Sequence, residues 1–371
     1  MKIRLRPRLL IWLHLFVLYA CVETYDVSYH LDAELLTVEG FVTDEAATVI
    51  SISKSKSLAG NYYSVPLTGC IVELVVGDGT IVPLKESVEG MYSAGSSFQG
   101  KVGQTYQLRF RTPEGKQYES TKELLNPVAD VKKIYQELDQ NGLLDKTGKR
   151  VVGSTVDIFL DFDDPKESKN YYLWRWKHYE EQPVCITCDG GRLVGGTCVK
   201  INSRNPPTYD YPCDKACWEV FYNPDILIFS DELSNGLSVR GKLIAKIPYH
   251  SSKGCLLEVE QIGITREAYL YYKLLRDQNQ NTGTLTDTPP APMIGNLRNV
   301  NDADEAVIGY FGAASSRLTR YWVNRSSYTN ATVVSLLGRE INLENTSPFP
   351  PPTYPCVISK SRTPIRPEGW Q

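Results

Sequence analysis

Short apolar runs that alternate residue by residue, each closed by a glycine or proline turn, constrain this chain more than any other feature. Ile71, Glu73 and Val75 point one way along an extended backbone while Val72, Leu74 and Val76 point the other. Tyr106, Leu108 and Phe110 share a face against Gln107, Arg109 and Arg111. Runs of this kind recur at Leu35 to Thr43, Thr48 to Lys54, Ile81 to Leu84, Gly90 to Ser93 and Gln117 to Ser120, with turns at Gly77-Asp78-Gly79 and Pro113-Glu114-Gly115. A period of two with such spacing predicts antiparallel strands packed as an immunoglobulin-like β-sandwich over residues 30–125. The Gly90-Met91-Tyr92 and Gly103-Gln104-Thr105-Tyr106 steps are similar to those of carboxypeptidase-regulatory modules.

Beyond Asn126-Pro127 the loops lengthen and aromatics become more frequent, so residues 130–371 read as a second, larger β-rich domain. Strands are predicted at Val156 to Phe162, Tyr171 to Tyr179, Ile226 to Phe229, Leu243 to Ile247, Leu256 to Ile262 and Glu305 to Ala313. One helix interrupts them. Thr265 is placed to cap it, Glu267 suits its positive end, and Ala268, Tyr271, Tyr272 and Leu275 fall on one face. The expected fold class is therefore mainly β with one amphipathic helix.

The N-terminus carries a different signal. Lys2, Arg4, Arg6 and Arg8 precede the apolar run Leu9 to Ala20, which is too short to cross a bilayer as a mature helix. The run ends in Leu18-Tyr19-Ala20-Cys21, the pattern of a bacterial lipobox: a branched apolar residue, a spacer, a small residue, then a cysteine whose thiol accepts diacylglycerol. The expectation is a signal peptide over residues 1–20, lipidation at Cys21 and a tether over 21–29. Each buried methylene of an acyl chain contributes about 0.8 kcal/mol, so such a group would hold the protein on a membrane. An ordinary signal peptide or an anchoring helix is the alternative. Loss of the four basic residues takes the net charge from −3 to −7, which argues against nucleic acid and against adhesion to anionic headgroups.

Eight cysteines follow Cys21: Cys70, Cys185, Cys188, Cys198, Cys213, Cys217, Cys255 and Cys356. An even set in an exported chain reads first as disulfides, although the pairing has roughly a hundred solutions. Five of the eight lie in a Cys-rich insertion, residues 180–220, which suggests a loop-rich segment stapled in place of a core. A zinc ribbon built on Cys185 and Cys188 is the competing reading, with irregular spacing to Cys213 and Cys217 against it. No metal or other cofactor is expected.

Several stretches taken together resemble one family. They are Val38-Glu39-Gly40-Phe41-Val42-Thr43-Asp44, Gly103-Gln104-Thr105-Tyr106, Asp164-Pro165 with Asn170-Tyr171-Tyr172, Cys217-Trp218, Ile264-Thr265-Arg266-Glu267-Ala268-Tyr269, Gly295-Asn296, Val307-Ile308-Gly309-Tyr310-Phe311 and Pro367-Glu368-Gly369-Trp370. The pattern looks like the exported Bacteroidetes lipoproteins called domain of unknown function 4249. The resemblance implies a lipoprotein of the outer membrane, facing periplasm or cell surface, with genes often beside TonB-dependent transporters. The family has no established catalytic residues, so the resemblance assigns none here. The family often ends in a Cys-x-x-Cys pair, whereas here Cys356 is followed by Val357, Ile358 and Ser359, which leaves its partner open.

Three functions compete on this reading. The first is an accessory protein binding an outer-membrane β-barrel of the TonB-dependent class. The second is a surface module for a glycan or peptide that stacks on Tyr172, Trp174 and Trp176, residues on one face of a single strand together with His178. The third is a hydrolase using two carboxylates, for which no pair stands out. No Gly-x-Ser-x-Gly elbow or His-Glu-x-x-His motif occurs, so the chain reads as a non-enzyme. The acidic run Asp161, Asp163 and Asp164 ends in proline and reads as turn chemistry before it reads as a calcium loop.

Overall fold

A computed structural model describes residues 34–58, 61–95, 97–145, 148–279 and 293–371. Cys21, the segment 1–20 and the tether 21–29 lie outside the described residues. The fold is mainly β, with 24 strands and one helix among the described residues. No helix there is long and apolar enough to cross a membrane.

Two ladders of strands build the first unit. In one, Leu36–Thr43 pairs antiparallel with Val49–Leu58, which pairs in turn with Asn61–Pro66 and Met91–Ser93. In the other, Ile71–Val76 lies between Ile81–Val88 and Thr105–Arg111, and Gln117–Ser120 extends the edge. The alternation read from the chain sets which residues meet between them. Val38, Ile50 and Ile52 from the first ladder share a core with Val72, Leu74, Leu108 and Phe110 from the second, while Ile71 stays 59% exposed.

That core is not made by residues 34–125 alone. After the helix the chain returns, and Leu297–Asn299 pairs with Gln117–Ser120. Val307–Ile308 and the start of Phe311–Val323 pair parallel with Leu36–Thr43, bringing Leu297, Val307, Phe311 and Ala313 into the same core. The strand predicted from Glu305 to Ala313 is broken at Gly309, whose φ of +95° and close approach to the Val38 carbonyl leave no room for a Cβ.

The second unit repeats the two-ladder plan. Thr155–Asp163 sits between Val131–Asp139 and Ser238–Pro248. It faces Tyr171–Glu181, Cys255–Ile264 and the later part of Phe311–Val323 across a core of Val156, Ile158, Leu160, Phe162, Trp174 and Val259. Trp218–Tyr222 and Leu227–Ser230 pair with successive stretches of Tyr171–Glu181. Phe311–Val323 thus belongs to both units, its first four residues to one ladder and Ser315 onwards to the other.

The helix, Arg266–Asn279, begins where the sequence predicts. Thr265 Oγ1 accepts the Ala268 N–H at 3.3 Å and donates to Glu123 Oε2 at 3.0 Å. Ala268, Tyr269, Tyr271 and Tyr272 pack with Phe41, Tyr171, Leu173 and Tyr310, so the helix covers the place where the two units meet. Glu123 is buried there and also accepts from Asn296 Nδ2 and Tyr310 Oη.

The Cys-rich insertion folds as two small ladders, Val184–Cys188 with Tyr209–Pro212 and Gly191–Val194 with Thr197–Lys200. Its own core is little more than Cys188, Leu193 and Tyr211, with Ile186, Tyr209 and Tyr354 against it. Covalent closure therefore substitutes for burial. Cys185 bonds Cys213, Cys188 bonds Cys198, and Cys217 bonds Cys356, which answers the question of the last cysteine's partner. The expectation of eight paired cysteines needs correction at two positions. Cys70 and Cys255 are free and buried, one in the core of each unit, where each behaves as a small apolar side chain.

Candidate functional site

Tyr171–Glu181 has two faces, and the aromatic one that could serve as ligand platform or as core is core. Trp174 is fully buried, and its Nε1 donates to Gln261 Oε1 at 2.8 Å. Tyr172 is buried too, its hydroxyl donating to Asp164 Oδ1 at 2.6 Å, and Trp176 is only 9% exposed. Phe162 and Phe229 pack on these rings. A sugar cannot stack on Tyr172, Trp174 and Trp176, because the Thr155–Asp163 ladder already occupies that face. The alternative of a sugar platform on this stripe is thereby overturned, and the three rings belong to the core.

The opposite face is charged. Arg175 and Lys177 alternate with the buried aromatics and stand beside Glu258 and Glu260 of the neighbouring strand and Leu318 and Arg320 of the next. Glu45 and Ala46, from the turn after Leu36–Thr43, close one side of this surface, and Tyr222 and Asn223 close the other. The result is a groove of about 570 Å³ where the two units adjoin. Asp44 fixes that turn against the shared strand, accepting the Ser316 N–H at 2.9 Å and pairing with Arg317 at 3.2 Å. Arg317 also reaches Glu45 at 3.1 Å.

Charge within the groove is largely committed. Glu258 Oε2 lies 2.9 Å from Lys177 Nζ, and its Oε1 lies 3.0 Å from Arg320 Nε. Burial pushes the Glu258 carboxyl up, but hydrogen bonds and charge from Lys177 and Arg320 outweigh it and leave it below the usual range. A general acid needs the reverse shift, so Glu258 is held ionised and is unsuited to protonating a leaving group. Arg175 stacks over Phe41 at 5.1 Å. A surface of this kind offers recognition by fixed charges and backbone, with Glu260 and Tyr222 at its margins.

The acidic run does not gather as a cation site. Asp163 pairs with Lys132 and Arg240, Asp161 accepts the Gly241 N–H, and Asp164 accepts from Tyr172 and the Gly236 N–H. Among the described residues two groups bring metal-ligating atoms together. Cys185, Cys217 and Cys356 are one, but their sulfurs are spent in disulfides, which also sets aside the zinc ribbon. His178, Glu180 and His250 are the other. No sequence motif marks either the groove or this second group. Arg175 and Lys177 were visible as the odd positions of the same alternation, whereas nothing local joins His250 to His178.

No curated protein and no solved structure matches the chain. A family model described as "Domain of unknown function (DUF4249)" matches residues 22–320. The match spans both units, the Cys-rich insertion and most of the shared strand, and the chain belongs to the DUF4249 family.

Proposed function

We propose that the protein is a lipoprotein of the outer membrane, anchored through an acylated Cys21, that serves as a binding and accessory component beside a TonB-dependent transporter and not as an enzyme. The observation that carries this reading is Leu18-Tyr19-Ala20-Cys21 at the end of a basic and then apolar segment, with the family match opening at residue 22. The groove between the units supports a binding role, since its ion-paired walls suit a protein or peptide partner better than a chemical step. The partner is the β-barrel or a segment of its substrate, met at Arg175, Lys177 and Glu260.

Two measurements test it. Mass spectrometry of the protein extracted from membranes is expected to find a mature start at Cys21 bearing a diacylglyceryl thioether, and an unacylated Cys21 overturns the anchor. Crosslinking of the lipidated chain in its native membrane is expected to recover an outer-membrane β-barrel, with recovery lost in Arg175→Glu/Lys177→Glu. Recovery of no barrel, or recovery indifferent to that double substitution, overturns the partnership at the groove.

A further inference from the structure

Inside the second unit, behind the buried tryptophans, lies a polar cluster that the proposed function does not use. His178 and Glu180 are two apart on Tyr171–Glu181 and so share its inner face, both almost wholly buried. His250 follows the end of Ser238–Pro248 and is partly exposed. One ligand atom from each of the three lies within 4.8 Å of the others. Phe221 stacks on both imidazoles, at 4.8 Å from His178 and 6.0 Å from His250.

Two observations point to an ion here. Neither ring nitrogen of His178 has a hydrogen-bond partner, although the side chain is 3% exposed. A neutral imidazole carries one N–H and one lone pair, and both are left facing protein. His250, by contrast, has its Nδ1 2.8 Å from the Val334 carbonyl oxygen. That oxygen only accepts, so Nδ1 bears the hydrogen and Nε2 presents a lone pair, the arrangement in which metal-bound histidines are held by a backbone carbonyl.

We propose that His178, Glu180 and His250 bind one divalent transition-metal ion of the zinc or copper class. His178 Nε2 stands 3.6 Å from Glu180 Oε1, close to the edge of about 3.3–3.5 Å that a tetrahedron with bonds of about 2.0–2.1 Å requires. Arg325 holds both carboxylate oxygens, Nη1 to Oε2 at 3.0 Å and Nη2 to the same Oε1 that faces His178 at 2.5 Å, and thereby orients the group. Because Arg325 offsets the one negative charge, the site offers an all-oxygen-seeking ion little. Two imidazole donors select zinc or copper over calcium or magnesium. Three protein donors leave the fourth corner of the tetrahedron to a water entering beside the partly exposed His250, and the ion ties Tyr171–Glu181 to the end of Ser238–Pro248.

The test uses the full chain, stripped with chelator and titrated with Zn²⁺ by calorimetry and with Co²⁺ by absorption. One ion per chain is expected, with visible bands of tetrahedral cobalt and a zinc-dependent rise in melting temperature. His178→Phe fits an aromatic slot between Trp176 and Phe221, and His250→Ala changes a partly exposed residue, so both should remain folded in zinc-free buffer by near-UV circular dichroism. Each is expected to weaken binding more than about 100-fold, since loss of mere outer-shell partners costs 10- to 100-fold. Absence of stoichiometric binding, or binding untouched by both substitutions, overturns the site. A crystal of zinc-soaked protein with only water at the His178 nitrogens and no anomalous signal does the same.

Discussion

A fully buried guanidinium is tolerated only when its charge is matched, and Arg325 is matched by Glu180 through two hydrogen bonds. Removing one partner strands the other in a low-dielectric interior. Glu180→Ala is therefore expected to lose about 3–5 kcal/mol of stability, measured by urea denaturation. A loss below about 1 kcal/mol would show that the pair is solvated. Asp210 is a second buried carboxylate, held at 2.7 Å on both oxygens by Arg339. The hydrogen bond from Arg339 brings its pKa from 3.8 to about 2. A depressed folded-state pKa stabilises fully above the unfolded value and the contribution fades as pH falls towards the folded one. Between about pH 4 and pH 2 the native chain should thus lose stability more steeply than Arg339→Gln, a difference that acid titration followed by circular dichroism will register.

At the level of elements, the insertion and the tail are held by loop closure more than by burial. Residues after Val323 make few strand pairings, yet Cys356 fastens them to Cys217, a separation of 139 residues, and Arg362 Nε reaches Glu219 at 2.9 Å. Cys188–Cys198 closes only 10 residues. In the chain-entropy account a longer loop gives the larger stabilisation, about 4–5 kcal/mol against about 3 kcal/mol or less. Cys217→Ala/Cys356→Ala should accordingly lower the melting temperature more than Cys188→Ala/Cys198→Ala, and the opposite order would reject loop closure as the main effect. The helix start offers a smaller test. Thr265→Ala removes both the cap to Ala268 and the bond to Glu123, so a loss of about 1–2 kcal/mol is expected in thermal melts.

For the whole molecule the consequential feature is that Phe311–Val323 runs through both units. Its early residues complete the core around Val38 and Phe311, and its later residues pair with Cys255–Ile264. A fragment ending at residue 125 lacks Leu297, Val307, Phe311 and Ala313 and exposes the apolar surface they cover. Such a fragment is expected to show poor amide dispersion and to bind hydrophobic dye, whereas the full chain should unfold in one transition. Gly309→Val tests the same coupling from inside, because its Cβ would fall 2.0 Å from the Val38 carbonyl oxygen and part the parallel strands. Two resolved transitions in the unaltered chain would show that the units are independent.

By itself the sequence determined whatever depends on neighbours along the chain. The alternation of Ile71 to Val76 and of Tyr106 to Arg111, the cap at Thr265 and the basic-apolar approach to Cys21 are local, because backbone dihedrals and the period of side chains are set within a few residues. Tertiary structure decided the rest. Tyr171–Glu181 is amphipathic by inspection, but large aromatics serve equally as platform or core, and only the Thr155–Asp163 ladder laid across them buries Trp174 and turns Arg175 and Lys177 outward. Cysteine pairing, the meeting of His178 with His250, and the return of Leu297 to Ala313 into the first core all join residues far apart in sequence. Contacts of that range depend on how whole elements pack, and no window of the chain contains both partners.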